Sequence, residues 1–348
     1  SKEDIEPLIT AGESGLAVLS AVATDPTGYG RIVRNEDGNV IAIVEHRDAS
    51  PKQRDICEIN TGIYAAPTSL FQELLPQLTN SNTQSEYYLT DCVQLSVNAG
   101  GEVQGVSGTI TATMGVNDRQ QLADLNQLIQ RTRRSALMAR GVTLVDPDTV
   151  YLNGRHLEIH PDTIIEPHVT LNGPISIESN VRVGFGCHLT NVVIGEYTVI
   201  KPYTVAESAT IGREAQIGPF TRLRPGTELS DTTHVGNFCE IKNASVAEGS
   251  KINHLSYVGD AVVGRNVNIG AGTITCNYDG ASKHQTTLGD DVFIGSNTSL
   301  IAPVTLGDQV TTGAGSVITN DVESQSLALA RSKQINIPGY QRPKKTKG

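Results

Sequence analysis

An aliphatic residue recurs at every sixth position through long runs of the second half of the chain. These residues, called anchors below, are Ile159, Ile165, Leu171, Ile177, Val183 and Leu189, then Ile211, Ile217, Leu223, Leu229, Val235 and Ile241, then Val246, Ile252 and Val258, and finally Leu288, Ile294, Leu300 and Leu306. This period matches neither the α-helical repeat of about 3.6 residues nor the two-residue alternation of a strand. It is typical of short strands that turn a corner after each side. The sequence therefore predicts a parallel β-helix with three flat sides.

Glycine directly follows several of these aliphatic residues. The positions are Gly184, Gly195, Gly212, Gly218, Gly236, Gly270, Gly289, Gly295 and Gly307. Glycine adopts positive φ without the steric cost that a branched residue meets. We therefore expect these glycines to form left-handed corners between the sides.

Composition agrees with a solenoid joined to a second domain. A chain of 348 residues with no Trp and 34 glycines needs no large aromatic core, because each coil packs on its neighbours. The net charge of −10 argues against a nucleic-acid binder. No run has the pattern of a signal peptide or a membrane span. Five scattered cysteines without a CxxC pair indicate reduced thiols in a cytoplasmic protein with no membrane partner.

The chain divides into three regions by pattern. Residues 1–115 are predicted to be mixed α/β, with strands at 16–22 and 39–45 and a hairpin turn at Asp37-Gly38. Residues 116–141 carry a helical stripe of Leu122, Leu125 and Ile129 that predicts a helical linker. Residues 142–348 hold the six-residue repeat, which is interrupted at 276–287. Insertions in a solenoid leave it as loops at a corner, and such loops often carry function.

Residues that break the repeat are the candidates for chemistry. Five basic residues interrupt an otherwise acidic protein, at Arg222, Arg224, Lys242, Lys251 and Lys283. They either solvate the outer face or bind a phosphate-rich ligand. His254 is either a surface imidazole or a general base with a pKa near neutrality. Two other classes stay open, a carbonic-anhydrase-type metalloenzyme of the same repeat and a non-catalytic scaffold.

Several strings of residues resemble one bacterial enzyme family over nearly the whole chain. They are Pro26-Thr-Gly-Tyr-Gly-Arg31, Val44-Glu-His46, Asn60-Thr-Gly62, Glu86-Tyr-Tyr-Leu-Thr-Asp91, Gly115-Val-Asn117, Leu223-Arg-Pro-Gly226, Asn253-His-Leu-Ser-Tyr-Val-Gly-Asp260, Gly270-Ala-Gly272 and Thr275-Cys-Asn-Tyr-Asp-Gly280. The family is that of the bifunctional N-acetylglucosamine-1-phosphate uridyltransferases / glucosamine-1-phosphate N-acetyltransferases. The resemblance implies a Rossmann-like nucleotidyltransferase domain followed by a left-handed β-helix. It also implies a homotrimer with sites between subunits.

For the first half, the resemblance implies a site for UTP and UDP-N-acetylglucosamine. The implied contacts are Gly30, Glu45, Asn60, Tyr88, Thr90 and Asn117, with Asn117 also a ligand of Mg²⁺. The family's glycine-rich loop and catalytic lysine are not in this sequence, which offers only Asp4 near the slot of a metal-binding aspartate. We therefore expect a truncated domain, lacking its N-terminal part, that does not transfer uridylyl groups.

For the second half, the resemblance implies acetyl transfer from acetyl-CoA to glucosamine-1-phosphate. The implied contacts with the amino sugar are Arg224, Lys242, Tyr257 and Asn268, with Lys283 near a phosphate. The implied contacts with acetyl-CoA are Ala271, Asn277, Tyr278, Ser296, Ala314 and Arg331. His254 is predicted to be the catalytic base, and Glu240 on the preceding coil is predicted to orient its imidazole.

Overall fold

The computed structural model describes residues 2–110, 115–116 and 118–343. Contacts between residues divide the chain into two compact units, Ser1–Asn126 and Gln127–Gly348. A helix was predicted within residues 116–141, and the structure has a helix of 21 residues there, from Arg119 to Ala139, which crosses this division. No helix in the described part of the chain is long and apolar enough to span a membrane.

The first unit is an α/β fold around a mixed five-stranded sheet, with the strand order β3-β2-β4-β1-β5 among the described residues. Its strands are β1 Leu16–Val22, β2 Arg31–Arg34, β3 Val40–Val44, β4 Glu58–Ala65 and β5 Val103–Ser107. Its helices are α1 Lys2–Gly12, α2 Pro51–Arg54, α3 Thr68–Leu74 and α4 Asp91–Asn98, with a 3₁₀ turn at Leu75–Gln77. The next helix, α5, is Arg119–Ala139.

Local sequence explains why these elements form. Strands β2 and β3 are antiparallel neighbours, and Gly38 between them has a φ of +86°, as the Asp37-Gly38 hairpin predicts. Ser50 caps the start of helix α2: its side chain accepts the Gln53 backbone N–H, and the Gln53 side chain accepts the Ser50 backbone N–H. Strand β1 is buried along nearly its whole length, because it lies between β4 and β5 and is covered on both faces.

The second unit is a left-handed parallel β-helix. Its strands are β6 Thr143–Leu144, β7 Tyr151–Leu152, β8 Leu157–Ile159, β9 Ile164–Ile165, β10 Thr170–Ile177, β11 Arg182–Val183, β12 His188–Ile194, β13 Val199–Ile200, β14 Val205–Ile211, β15 Gln216–Ile217, β16 Arg222–Leu223, β17 Thr227–Leu229, β18 His234–Asn237, β19 Glu240–Val246, β20 Lys251–His254, β21 Tyr257–Val263, β22 Asn268–Ile269, β23 Ile274–Cys276, β24 Thr286–Leu288, β25 Phe293–Ile294, β26 Ser299–Ile301, β27 Val304–Leu306, β28 Thr311–Thr312, β29 Val317–Ile318 and β30 Leu327–Ala328.

Within the described residues, these strands form a 14-stranded and an 11-stranded parallel sheet. The 14-stranded sheet covers two sides of the β-helix, because long strands serve both sides. Strand β10, for example, pairs with β7 through its first residues and with β8 through its last. The 11-stranded sheet forms the third side.

The anchors form the core of the β-helix. Every one of them is 4% exposed or less and belongs to one continuous buried cluster. The prediction from the six-residue period is therefore confirmed. The break in the repeat is also confirmed, with the loop running from residue 277 to 285 between β23 and β24. Tyr278 and Lys283 pair across this loop in an antiparallel bridge.

The prediction about the glycines beside the aliphatic residues was wrong. Of the nine positions, Gly218 alone has positive φ. Left-handed corners are instead occupied by Asn, Asp and aromatic residues, for example Asn180 and Phe220. The glycines are required by the approach of the next coil, since a Cβ on Gly236 would overlap the carbonyl oxygen of Asn253. A Cβ on Gly270 would lie 2.5 Å from the carbonyl oxygen of Ile294.

Candidate functional site

The His254 imidazole lies at one corner of the β-helix, at the end of β20, and is exposed. It is in register with Asn237 on the preceding coil, and its Nδ1 lies 3.1 Å from Oδ1 of Asn237. An amide oxygen accepts hydrogen bonds, so this contact assigns the ring proton to Nδ1. The Nε2 atom is then left as a free acceptor, which is the state that a general base needs.

Glu240 does not have the partner that was predicted for it. Its carboxylate pairs with the Arg224 guanidinium at 2.9 Å, and both side chains are about one-third exposed. Glu240 lies on the 14-stranded sheet, whereas His254 ends a strand of the 11-stranded sheet. The opposite charge on the neighbouring coil therefore holds Glu240, and Asn237 is the residue that orients the imidazole.

A line of residues rises from His254 along the same corner through successive coils. The Gly272 N–H donates to the His254 carbonyl at 3.2 Å, and the Asn297 N–H donates to the Ala271 carbonyl at 2.7 Å. Above them, the Gly315 N–H donates to the Ser296 carbonyl at 2.8 Å. The structure thus brings together Ala271 and Ser296, which are distant in sequence, on the coils above His254.

The upper end of this line holds the two remaining residues of the predicted coenzyme set outside the loop. The Arg331 guanidinium donates to the Ala314 carbonyl at 2.8 Å, and both residues are exposed. Arg331 therefore presents a cation one coil above Ala314. Together with His254, Ala271 and Ser296, these residues form the corner line.

A second group of polar residues surrounds the base of the 277–285 loop. Asn277 is 8% exposed, and its Nδ2 lies 3.5 Å from the Tyr257 hydroxyl. Lys283 lies beside Lys242, and the closeness and positive charge of Lys242 lower the pKa of Lys283. Two adjacent ammonium groups of this kind are suited to binding an anion.

The predicted basic cluster is only partly assembled. Lys242 and Lys283 are neighbours, whereas Lys251 lies on the 11-stranded sheet in register with Asn268. Asn268 is thus on a different side from Lys242. Arg224 is engaged by Glu240. The separation has a simple cause, because residues on different sides of a three-sided coil face different directions.

Tyr278 stands on the exposed part of the loop. It is 61% exposed, and its hydroxyl donates to the Gly280 carbonyl at 2.6 Å. Asp279 accepts hydrogen bonds from the backbone of Ala281 and Ser282, at 2.8 and 2.7 Å, and its other oxygen lies 2.7 Å from Nε2 of His284. These contacts give the loop a defined shape of its own.

In the first unit, three of the residues implied for the nucleotide sugar are neighbours. A Cβ on Gly30 would lie 3.3 Å from a Glu45 carboxylate oxygen and 3.5 Å from the Asn60 Cβ. Asn60 donates to the Tyr64 hydroxyl at 3.0 Å. Burial raises the pKa of Glu45, and the charges of nearby carboxylates add to this effect. The cluster thus offers hydrogen-bonding groups to a polar ligand.

The other implied residues of this unit are placed less closely together. Thr90 is buried, and the Tyr88 hydroxyl accepts from Gln84 at 2.7 Å. Asp4 is also buried and accepts the backbone N–H of Thr109 at 3.0 Å. The predicted Mg²⁺ ligand Asn117 lies outside the described residues. Among the described residues, no group of three or more His, Cys, Asp or Glu has the arrangement of a metal site.

Sequence reasoning missed three residues of these sites. Asn237 lies 17 residues before His254, and Asp260 lies 17 residues before Asn277. This separation is about one coil, so counting back one coil from each candidate would have found both. The third residue, Tyr64, has no such signal, because its contact with Asn60 depends on the local course of β4.

The fold and the corner line define a class of protein, the hexapeptide-repeat transferases. Residues 285–320 match the family described as bacterial transferase hexapeptide (six repeats). The chain is 50% identical to the bifunctional protein GlmU of Marinobacter nauticus, over 99% of this chain and 76% of that protein. It is 48% identical to that of Acinetobacter baumannii strain ACICU, with 99% and 76% covered. The chain belongs to the bifunctional GlmU family.

Solved structures that resemble this chain are more distant. One is the Arabidopsis UDP-N-acetylglucosamine acyltransferase, with a TM-score of 0.31, 17% identity and coverage of 51% of this chain and 71% of that one.

Proposed function

We propose that the β-helix of this chain transfers the acetyl group of acetyl-CoA to the 2-amino group of glucosamine-1-phosphate. The observation that carries this proposal is the corner line, in which His254 with a free Nε2 stands directly below Ala271 and Ser296. The metalloenzyme alternative has no support, since no cluster of metal ligands occurs in the described part of the chain. A non-catalytic scaffold would require neither this corner nor the loop.

The chemistry needs one proton acceptor and no covalent intermediate. The amine nitrogen attacks the thioester carbonyl carbon, and Nε2 of His254 accepts the proton that the nitrogen loses. The tetrahedral oxyanion then collapses, the C–S bond breaks, and the thiolate of coenzyme A takes up a proton. A backbone N–H is the expected donor to the oxyanion. Because an amine is already a competent nucleophile, Cys276 has no role as an acyl carrier.

The two substrates are assigned to different parts of the site. Lys242 and Lys283 bind the phosphate of the amino sugar, supported by the closeness of their ammonium groups. The family resemblance assigns Arg224, Tyr257 and Asn268 to the same sugar. Asn268 lies on a different side of the coil from Lys242, which a site between subunits of the proposed homotrimer accommodates. Four residues of the corner line above His254 and two of the loop hold acetyl-CoA along the coils, namely Ala271, Ser296, Ala314, Arg331, Asn277 and Tyr278.

The protein is proposed to be a homotrimer. It is also proposed to be cytoplasmic, because its five cysteines are free thiols. Exposed aromatic rings stack along one corner, with Tyr203 on Phe220 at 5.0 Å and Phe220 on Phe238 at 5.5 Å. Tyr203, Phe220 and Phe238 are each about half exposed, and an apolar stripe of this kind favours association of copies. Light scattering at micromolar concentration measures the oligomeric state directly.

The first unit is proposed to be the partner domain of the bifunctional enzyme. We assign Gly30, Glu45, Asn60, Tyr88, Thr90 and Asn117 to UDP-N-acetylglucosamine, with Mg²⁺ at Asn117. In the intact family member, this domain joins the acetylated sugar phosphate to the uridylyl group of UTP. The product, UDP-N-acetylglucosamine, supplies peptidoglycan and lipopolysaccharide synthesis.

Replacement of the base tests the acetyl-transfer proposal. His254→Ala should lower the rate of thiol release from acetyl-CoA by about 10²–10⁴-fold, as expected for loss of a general base. Calorimetric titration with acetyl-CoA should give nearly unchanged affinity. The matched control is His188→Ala, which removes another exposed imidazole of the β-helix and should keep the wild-type rate. A fall of less than about tenfold in His254→Ala would contradict the assignment.

A further inference from the structure

Three polar side chains on successive coils form a column beside the 277–285 loop. The Asn243 amide donates to Oδ1 of Asp260 at 2.6 Å. The Asn277 amide donates to Oδ2 of the same carboxylate through a short hydrogen bond. Asp260 therefore lies between two amides, one on the coil below and one at the start of the loop above. It is half-buried, and neither the sequence motifs nor the family resemblance gave it a role.

The chemistry of the carboxylate fixes the orientation of the Asn277 side chain. An ionised carboxylate has acceptors only, so it can bind the NH₂ end of an amide and not the carbonyl end. The same Nδ2 of Asn277 lies 3.5 Å from the Tyr257 hydroxyl. Because Asn277 is 8% exposed, rotating the amide would leave its buried NH₂ group without this partner.

The carbonyl oxygen of Asn277 is consequently the end that remains for a ligand. Within the described residues, no hydrogen bond reaches Oδ1 of Asn277, and this atom is not among the unpaired polar atoms that are sealed from solvent. An oxygen of this kind accepts a hydrogen bond from an N–H group. Both proposed substrates carry one, in the amides of the pantetheine arm and in the amine of the sugar.

Asp260 also faces the cations of the phosphate-binding group. Lys242 and Lys283 repel each other, whereas the negative charge of Asp260 acts on Lys283 in the opposite direction. Asn277 opens the loop that carries Lys283, and its carbonyl accepts the backbone N–H of His284 at 2.8 Å. A contact that fixes the position of Asn277 therefore also helps to fix the position of Lys283.

We propose that Asp260 is a positioning residue for acetyl transfer, holding the Asn277 amide so that its Oδ1 accepts an N–H group of the bound substrates. This inference rests on the proposed acetyltransferase function. Asp260 itself touches neither substrate in this proposal. Its effect passes through Asn277, whose position must be accurate because displacements of about 1 Å can cost about 10²-fold in rate.

The test compares two substitutions and a matched control in the full chain. Asp260→Asn should lower kcat/KM for thiol release by about 10–100-fold. The double variant Asp260→Asn with Asn277→Asp again has an amide facing a carboxylate, but with the two groups exchanged. Its melting temperature should therefore be close to that of the wild-type protein, whereas its rate of thiol release should stay low. The control is Asp231→Asn, which weakens a similar contact, the carboxylate that accepts the Arg213 N–H at 2.7 Å, and should keep the wild-type rate.

The kinetic constants separate the possible outcomes. A raised KM for acetyl-CoA identifies the pantetheine amide as the donor to Asn277, and a raised KM for glucosamine-1-phosphate identifies the amine. Wild-type kinetics in Asp260→Asn would overturn the proposal, and so would recovery of the rate in the exchanged pair, since Asp260 would then be only structural. If the wild-type protein releases no thiol, the proposed function itself fails and this inference fails with it.

Discussion

The two units of the molecule bury their residues in different ways. The β-helix has one continuous core that extends from Leu137 to Ile318. The α/β unit has three separate small clusters of buried apolar residues within the described part of the chain. In the β-helix each coil packs on the next, whereas in the α/β unit helices and strands from distant parts of the sequence must meet.

The difference also governs which polar side chains meet. In the β-helix, Arg224 binds Glu240 16 residues away and His254 binds Asn237 17 residues away. In the α/β unit, Ser20 binds Glu58 across 38 residues and Asp4 binds Thr109 across 105 residues. A repeat thus makes neighbours countable along the sequence, and a non-repeating fold does not.

A matched pair of core isoleucines gives the largest expected difference between the units. Ile217 and Ile59 are both fully buried. We expect Ile217→Ala to lower the free energy of unfolding of its unit by about 4 kcal/mol and Ile59→Ala by about 2–3 kcal/mol. The coils on both sides of Ile217 keep the cavity left by its substitution open. The half-buried Tyr29 packs beside Ile59 and can move into the cavity left there. Calorimetry measures both changes, with hydrogen exchange assigning each transition to its unit.

The conservative substitutions provide the control for this comparison. Ile217→Val and Ile59→Val should each cost about 1 kcal/mol, because a single methylene leaves little space to fill. An equal or larger loss in Ile59→Ala than in Ile217→Ala would show that the coils relax as readily as the α/β core.

Two glycines that serve different purposes give a smaller contrast. Gly236→Ala should cost about 2–3 kcal/mol, because the new Cβ meets the Asn253 carbonyl of the next coil. Gly38→Ala should cost about 1 kcal/mol, since this turn has open space but a φ of +86°. Substitution by asparagine distinguishes steric overlap from backbone strain, because asparagine has a side chain but tolerates positive φ. Denaturant titration measures the free energy of unfolding of each variant. Gly38→Asn should be nearly neutral, while a neutral Gly236→Asn would refute the steric explanation.

The β-helix could be predicted from the sequence to the level of individual buried residues. The period of six identifies which side chain points inward, and the break in the period identifies the loop that carries Lys283. The period does not reveal how closely coils approach, so the role of Gly236 was missed. It also does not say which neighbouring side chain a carboxylate pairs with, so the Arg224–Glu240 ion pair was not predicted.

The sites could be predicted less well than the fold, and the α/β site least. Charge alone indicated a possible phosphate site of five basic residues, and only the structure shows that Lys242 and Lys283 are the two that are neighbours. The raised pKa of Glu45 and its closeness to Gly30 depend on strands that meet only in the folded unit. No local pattern encodes the burial of that carboxylate, so sequence reasoning needed the family resemblance to find it.

The smallest expected effect concerns the pH dependence of the α/β unit. Burial, followed by the charges of Asp48 and Asp91, raises the pKa of Glu45 from 4.5. The folded unit therefore binds a proton that the unfolded chain has lost, and stability falls as pH rises through the window above 4.5. Glu45→Gln removes this penalty, so at pH 7 it should raise the melting temperature of the α/β unit by about 1–2 °C. The gain should shrink below about pH 4.5.

Asp279 in the loop of the β-helix provides the control of opposite sign. Backbone hydrogen bonds from Ser282, followed by the His284 ring, lower the pKa of Asp279. Its contribution to loop stability is present above the unfolded pKa and is lost as pH falls through the folded pKa. Asp279→Asn should therefore speed amide exchange at Ala281 and Ser282 at pH 7, whereas Glu45→Gln should slow exchange around its own site. If both variants changed exchange in the same direction at pH 7, one of the two carboxylates would have been assigned the wrong environment.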